Sequence, residues 1–259
     1  MNREISVVLD GFSYTECPRW HDGRIWVADF YTYQVVSANA DGSDVRVEAD
    51  VPQQPSGIDW LPDGRLLLVS MRDRTLIVRE QSGELVPYAD LAPFVTGHLN
   101  DMVVDDRGRA FVGNFGFDLM AGAPIETATL VRVDTDGSCT VVADDLLFPN
   151  GAVITPGGSL LLSETFGNRI TAFDIAEDGS LRDRRTWASF GREPGTTELA
   201  AAIGELVVAP DGMCLDAEGA IWVADAVNGR VLRVREGGEI VEQIEPGTGV
   251  FACMLGGDD

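Results

Sequence analysis

The chain is 259 residues long, with 45% apolar residues and a formal net charge of −23. That is one large domain or two small ones with material for a proper core, and so acidic a surface repels phosphate backbones and anionic lipid, which argues against nucleic-acid and membrane partners. No apolar run approaches the length of a membrane span, the N-terminal MNREISVVLDGF does not read as a signal peptide, and the expectation is a cytoplasmic protein.

In chain order, EISVVL (4–9) reads as a strand. ECPRWHDGRIWVAD (16–29) follows, with YQVVSA and DVRVEA behind it. PSGIDWLPDGRLLLVS (55–70) leads into TLIVRE and ELVPYA, and LNDMVVDDRGRAFVGN (99–114) repeats the layout. PNGAVITPGGSLLLSE (149–164) continues into RITAFD and RRTWAS. TTELAAAIGE (196–205) is the best helical candidate, a short helix or a loop capping the site entrance. PDGMCLDAEGAIWVAD (210–225) precedes RVLRVR and EIVEQI, and GVFACMLGGDD (249–259) begins a further copy. Short runs rich in β-branched and aromatic residues, broken by Asp-Gly or Gly-Gly, are strands and hairpins.

The turn glycines Gly23, Gly64, Gly108, Gly158 and Gly219 mark units of four strands, the pattern of a β-propeller blade. The expected fold is all-β: a six-bladed β-propeller of four-stranded antiparallel blades, one domain over residues 1–259. The last blade is incomplete at the C-terminus, Gly257 stands at its turn position, and EISVVL supplies its outer strand. On this reading either the chain has been cut short or the ring closes imperfectly, leaving strand edges unpaired.

Aligned on these glycines, Ser56, Asn100, Asn150 and Asp211 stand at one position, with Glu16 one residue out of register. The first strand of a propeller blade lines the central channel, so Glu16, Asn100, Asn150 and Asp211 should converge at its mouth. Two carboxylates and two amide carbonyls are a hard, all-oxygen set suited to Ca²⁺, Mg²⁺ or Mn²⁺. Asn-Gly and Asp-Gly are also ordinary turn pairs, but recurrence at one register favours a site. Ser56 and Gly249 are the short members of the ring, so substrate is expected on their side.

A second register, Asp29, Ser70, Asn114, Glu164 and Asp225, ends the second strands and suits hydrogen bonding between strands or blades; Asn114 and Glu164 could also reach the channel. His98 beside Asn100 could contact substrate or shuttle a proton, whereas His21 reads as a turn residue. Phe115 and Phe166 are candidates for the wall of a substrate cleft or for blade packing. Cys17, Cys139, Cys214 and Cys253 form no metal-like spacing. The absence of lysine excludes Schiff-base chemistry, and no serine-hydrolase elbow, zincin helix or phosphate loop is present.

The segments Glu16-Cys17-Pro18-Arg19-Trp20, Asn100-Asp101, Asn150-Gly151, Pro210-Asp211-Gly212-Met213-Cys214-Leu215-Asp216 and Phe251-Ala252-Cys253-Met254-Leu255-Gly256-Gly257 resemble the senescence marker protein (regucalcin) and gluconolactonase family, from about residue 14 onward. The resemblance implies a six-bladed propeller that binds one divalent metal at the channel mouth, with many members hydrolysing lactones. By motif it implies Glu16, Asn150 and Asp211 as metal ligands, with Asn100 a fourth ligand or a substrate contact. Where sugar lactonases of that family often carry Arg, this chain has His98.

The expected activity is a metal-dependent hydrolase opening a lactone or similar cyclic ester. One divalent cation, Ca²⁺ first and Mg²⁺, Mn²⁺ or Zn²⁺ as alternatives, would polarise the carbonyl, while Asp211 or Asp101 activates water. His98, Asn100, Phe115 and Phe166 would meet the substrate. The alternatives are a non-catalytic Ca²⁺- or small-molecule-binding propeller and an interaction scaffold.

Overall fold

The computed structural model describes residues 4–257. Twenty strands build the fold. Blade 1 contains β1 (Thr15–His21), β2 (Arg24–Asp29), β3 (Gln34–Asn39) and β4 (Arg46–Asp50). Blade 2 contains β5 (Pro55–Trp60), β6 (Leu66–Ser70), β7 (Thr75–Arg79) and β8 (Leu85–Asp90). Blade 3 contains β9 (Leu99–Val104), β10 (Ala110–Asn114), β11 (Ala128–Val133) and β12 (Cys139–Leu146). Blade 4 contains β13 (Pro149–Ile154), β14 (Ser159–Glu164), β15 (Arg169–Ile175) and β16 (Leu181–Ser189). After a short helix, α1 (Leu199–Glu205), blade 5 contains β17 (Pro210–Leu215), β18 (Ile221–Asp225), β19 (Arg230–Val234) and β20 (Ile240–Ile244). Each blade is an antiparallel meander paired in chain order, and the inner strands β1, β5, β9, β13 and β17 pack side by side in that sequence.

The expectation of six blades is corrected: the described residues form five four-stranded sheets. Residues 249–256 carry no strand, and neither do residues 4–14. The reason is that a sheet needs partners, and among the described residues 249–256 joins no ladder. It lies instead against β17, where Gly212 N–H donates to Phe251 O at 2.9 Å, and its Gly256 presses on the Trp20 indole of β1. The N-terminal segment runs elsewhere, with the Val8 carbonyl closing over Gly42 in the β3–β4 turn.

The continuous apolar runs of the second strands follow from being covered on both faces. Successive side chains point to opposite faces of a sheet, so Leu66 and Leu68 of β6 join Cys17, Trp26 and Ala28 of blade 1. Leu67 and Val69 join Met102 and Val112 of blade 3. Likewise Leu160 and Leu162 meet Phe111 and Leu130, while Leu161 meets Met213, Ile221 and Val223. Among the described residues no helix is long and apolar enough to cross a membrane.

Every inner strand carries a bulge near its start. Pro55 pairs with Ser70 and Ile58 with Leu68, so Ser56 and Gly57 together oppose a single residue. Asn100–Asp101, Asn150–Gly151 and Asp211–Gly212 do the same in their blades, and in β1 the extra pair is Cys17–Pro18, directly after Glu16. Two residues opposing one bend the strand and re-aim its side chains.

Glycine after the bulge residue lets adjacent inner strands touch. A β-carbon on Gly151 would lie 2.6 Å from Asp211 O, and one on Gly57 would lie 2.8 Å from Met102 N. Gly151→Ala is therefore expected to lower stability by about 1–3 kcal/mol. Because the displaced neighbour is Asp211 itself, ligand binding at the channel should fall by more than the loss seen in urea unfolding; an equal loss in both would show that the contact only stabilises.

The second register braces these bulges. Its residues pair with the one before each bulge or with its equivalent: Thr15 with Asp29, Pro55 with Ser70, Leu99 with Asn114, Pro149 with Glu164 and Pro210 with Asp225. All five are buried. The carboxylates then accept backbone N–H groups from the segment entering the inner strand: Asp29 from Ser13 and Tyr14, Glu164 from Leu147, Asp225 from Ala209. Arg169 and Arg230 pair with Glu164 and Asp225 at 2.6 and 2.8 Å.

Burial pushes the Glu164 carboxyl up, but its bonds from Arg169 and Thr171 outweigh that and hold it below the ordinary value. A depressed carboxyl stabilises the fold above the unfolded value, about 4.3 for Glu, and the contribution disappears as pH falls through the lower folded value. Glu164→Gln should cost about 2 kcal/mol at neutral pH. In urea titrations the difference from the parent should shrink on acidification below pH 4; a gap independent of pH would contradict this.

Candidate functional site

The channel mouth opens into a cavity of about 330 Å³, a size suited to a small molecule. Glu16, Asn100, Asn150 and Asp211 all line it and are all at least nine-tenths buried. The register offset of Glu16 has a local cause. Blade 1 closes its first hairpin in two residues, Asp22 and Gly23, both with positive φ, as a tight hairpin turn requires. The other blades use a longer turn, as between Trp60 and Leu66. Counted from the paired strand ends, Glu16 holds the same position as its counterparts.

Each amide is oriented by its nitrogen. Asn150 Nδ2 donates to Thr165 Oγ1 at 3.2 Å, and that hydroxyl donates to Pro210 O at 2.9 Å. Asn100 Nδ2 faces Pro149 O at 3.5 Å. The carbonyl oxygens are thereby left to the cavity. Asp211 Oδ1 is buried without a hydrogen-bond partner among the described residues, a costly state for a carboxylate oxygen unless a ligand completes it.

The electrostatics are those of crowded acids. Burial, then the charge of Asp101, pushes Glu16 up to about 8, although Cys17 N–H and Arg19 pull it back in part. Asp211 is raised well above the ordinary carboxyl range by burial and then by Glu16, against the Gly212 N–H and the Asn150 amide. The Tyr14 phenol is raised too, by burial first and then by Glu16 and Asp211, so it remains a hydroxyl. Buried acids raised in this way suit a cation, which would relieve both the repulsion and the orphan oxygen. Glu16, Asn100, Asn150 and Asp211 are the residues that could hold it.

Asp101 stands apart from the cavity. Its Oδ1 accepts from Arg19 Nη2 at 2.8 Å and from Met102 N–H at 2.7 Å, and Arg19 Nη2 also donates to Met102 O. The pair joins β1 to β9 behind the mouth. Ser56 also lies outside the cavity, its hydroxyl 3.8 Å from Cys17 Sγ. On the side expected to stand open, Phe251 and Gln54 complete the wall instead. Among the second-register residues none lines the cavity.

His98, Phe115 and Phe166 do line it. Burial lowers the His98 pKa, which favours a neutral imidazole, and its ring lies 5.9 Å from that of Phe115. His98 and Phe115 belong to two further rings, whose other members the sequence reading did not single out. The residues two before each bulge position, Tyr14, Gln54, His98, Phe148 and Ala209, all face the cavity; so do those directly after the second strands, Phe30, Met71, Phe115, Thr165 and Ala226. The same repeat that exposed the donors contains both rings. Loop residues complete the mouth, among them Leu119, Met120 and, from α1, Ile203.

Residues 14–259 match the family described as the SMP-30/Gluconolactonase/LRE-like region. A pentonolactonase, XacC, from Haloferax volcanii is 28% identical over 255 residues, covering 95% of this chain and 80% of that protein. A 6-deoxy-6-sulfogluconolactonase from Pseudomonas putida is 28% identical over 162 residues, 62% of this chain and 50% of that one. Zebrafish (Danio rerio) regucalcin is 29% identical over 164 residues, with the same shares, so this match spans half of the relative. Among solved structures, a gluconolactonase from Xanthomonas campestris superposes with a TM-score of 0.75 at 23% identity, covering 96% of this chain and 82% of that one. A calcium-binding protein, regucalcin, from Agrobacterium tumefaciens gives 0.71 at 20% identity, with 90% and 75% covered. At such identities the structural likeness speaks for the fold, whereas the match over nearly the whole length speaks for kinship: the chain belongs to the SMP-30/gluconolactonase/LRE-like family.

Proposed function

We propose that this protein is a divalent-metal-dependent hydrolase that opens a lactone at the channel mouth. The observation that carries the proposal is the buried, unpartnered Oδ1 of Asp211 in a cavity shared with Glu16, Asn100 and Asn150. The likeness to a pentonolactonase and a sulfogluconolactonase supports the reaction class, and the shared fold with a calcium-binding protein, regucalcin, supports the cation.

When bound, the cation polarises the lactone carbonyl and stabilises the charge that develops on it, an effect worth several kcal/mol. The chain's own groups do the rest. Asn100 and Asn150, their nitrogens tied to Pro149 O and Thr165 Oγ1, present carbonyl oxygens in fixed directions. Asp211 takes a proton from the attacking water as its oxygen bonds to the carbonyl carbon. The ring C–O bond then breaks and the proton passes to the departing alkoxide, so the product is one open-chain hydroxy acid. Asp101, committed to Arg19, has a positioning part: the ion pair braces β9 against β1, the strands that present Asn100 and Glu16.

A panel of lactones assayed with and without chelator tests the reading. Turnover should vanish on chelation and return with Ca²⁺, Mg²⁺, Mn²⁺ or Zn²⁺. Asp211→Asn should lower kcat by about 10²-fold or more and weaken metal binding by calorimetry. Metal binding without turnover of any lactone would leave a binding protein in place of an enzyme; turnover untouched by chelation would remove the metal.

A further inference from the structure

We infer that the lactone taken by this cavity is an apolar one, carrying an alkyl or aryl substituent, and not a polyhydroxylated sugar lactone. This rests on the lactonase reading and deepens it.

The two rings above the donors decide what can be solvated inside. On one side Phe115 stacks on Phe148 at 4.6 Å, and Phe148 meets Phe166 edge-on at 5.3 Å. On the blade 1 side Tyr14 packs against Phe30 at 5.1 Å and against Phe251 at 4.7 Å. Two of the polar groups are already engaged. Gln54 Oε1 accepts from Arg72 at 3.0 Å, and the Thr165 hydroxyl is spent between Asn150 and Pro210. Among the described residues no arginine lines the cavity, and the chain has no lysine.

A sugar lactone would bring several hydroxyls into this space. Besides the donor set, only His98, the Tyr14 and Tyr31 hydroxyls and the Gln54 amide nitrogen are there to meet them among the described residues, and each buried hydroxyl left without a partner costs roughly tenfold or more in binding. An alkyl chain meets the opposite balance, each buried methylene improving binding roughly threefold to fourfold. The mouth carries the same character outward. Tyr31, Met120, Ile203 and Val227 stand at its rim between 40% and 64% exposed. Apolar side chains gathered at an opening, in a chain otherwise so acidic, mark a surface that an apolar ligand crosses.

The experiment compares kcat/KM of the metal-loaded protein along γ-butyrolactone, γ-hexalactone, γ-octalactone and γ-decalactone, and on dihydrocoumarin, with D-xylono-1,4-lactone and D-glucono-1,5-lactone. The expected result is a rise of about threefold per methylene until the cavity is full, with the sugar lactones roughly 100-fold or more below the best alkyl substrate. Ile203→Asn, an exposed position on α1, should flatten the rise. Sugar lactones turned over as fast as the alkyl series, or faster, overturn the inference while leaving the lactonase reading intact. If no lactone is hydrolysed, the lactonase reading fails and the cavity is judged by binding alone. The neutral fluorophore N-phenyl-1-naphthylamine should bind and be displaced by γ-decalactone but not by gluconolactone; no binding, or displacement by both alike, overturns the inference.

Discussion

Each inner strand has one residue more than its partner can match, and the site depends on that surplus. An unbroken ladder would alternate side chains between the two neighbouring blades, and none would point along the channel. The bulges at Asn100–Asp101, Asn150–Gly151 and Asp211–Gly212 break the alternation and free a polar side chain to face the mouth. A bulge is locally weak because its extra residue leaves the ladder. Asp29, Glu164 and Asp225 repair this by taking the N–H groups of the incoming segment. Their carboxylates have no place in the cavity, yet they determine where the cavity's donors stand.

The charge distribution separates two kinds of acid. In the clamps, arginine, hydroxyl and backbone donors meet the carboxylates, and at Asp29 and Glu164 they hold the carboxyl below its ordinary value. Those of the mouth, Glu16 and Asp211, are raised by burial first, then Glu16 by Asp101 and Asp211 by Glu16, and the donors beside them offset this only in part. Arg19, paired with Asp101, offsets the burial of Glu16 only in part. The protein thus satisfies its buried acids wherever they serve the fold and leaves them unsatisfied where a ligand is to arrive, a division expected of functional sites.

Much of this was legible in the sequence. Blades were readable because Asp-Gly turns and short β-branched runs recur, and the donors because a repeat puts like residues at like places. Glu16 is out of register with the turn glycine because blade 1 has the shorter turn; from Asp29 its register is the same as in the other blades. The sixth blade was miscounted for a related reason. Gly257 supplied a turn signal, but strands are defined by partners, and the run from Gly249 has none to form a sheet with. The side chains of Asn100 and Asp101 are adjacent in sequence and could not be told apart by pattern; only the reach of Arg19 from β1 separates a cavity residue from a buttress. The wall at Leu119 and Ile203 belongs to loops of unequal length, which no period describes.

The way residues 249–256 lie between β17 and β1 bears on how the molecule forms. Within each blade, contacts join residues close in sequence, and each blade then docks on the one before, so most of the structure can grow from local encounters. The seam is different: it brings Trp20 against Gly256 and Tyr14 against Phe251, and so closes a loop almost as long as the chain. Closing so long a loop carries an entropic cost that the local contacts within a blade do not. Glu16 stands on one side of the seam and Asp211 on the other, so the donor set is complete only once the circle is closed. A ligand that held both carboxylates would therefore act as the clasp on the ring.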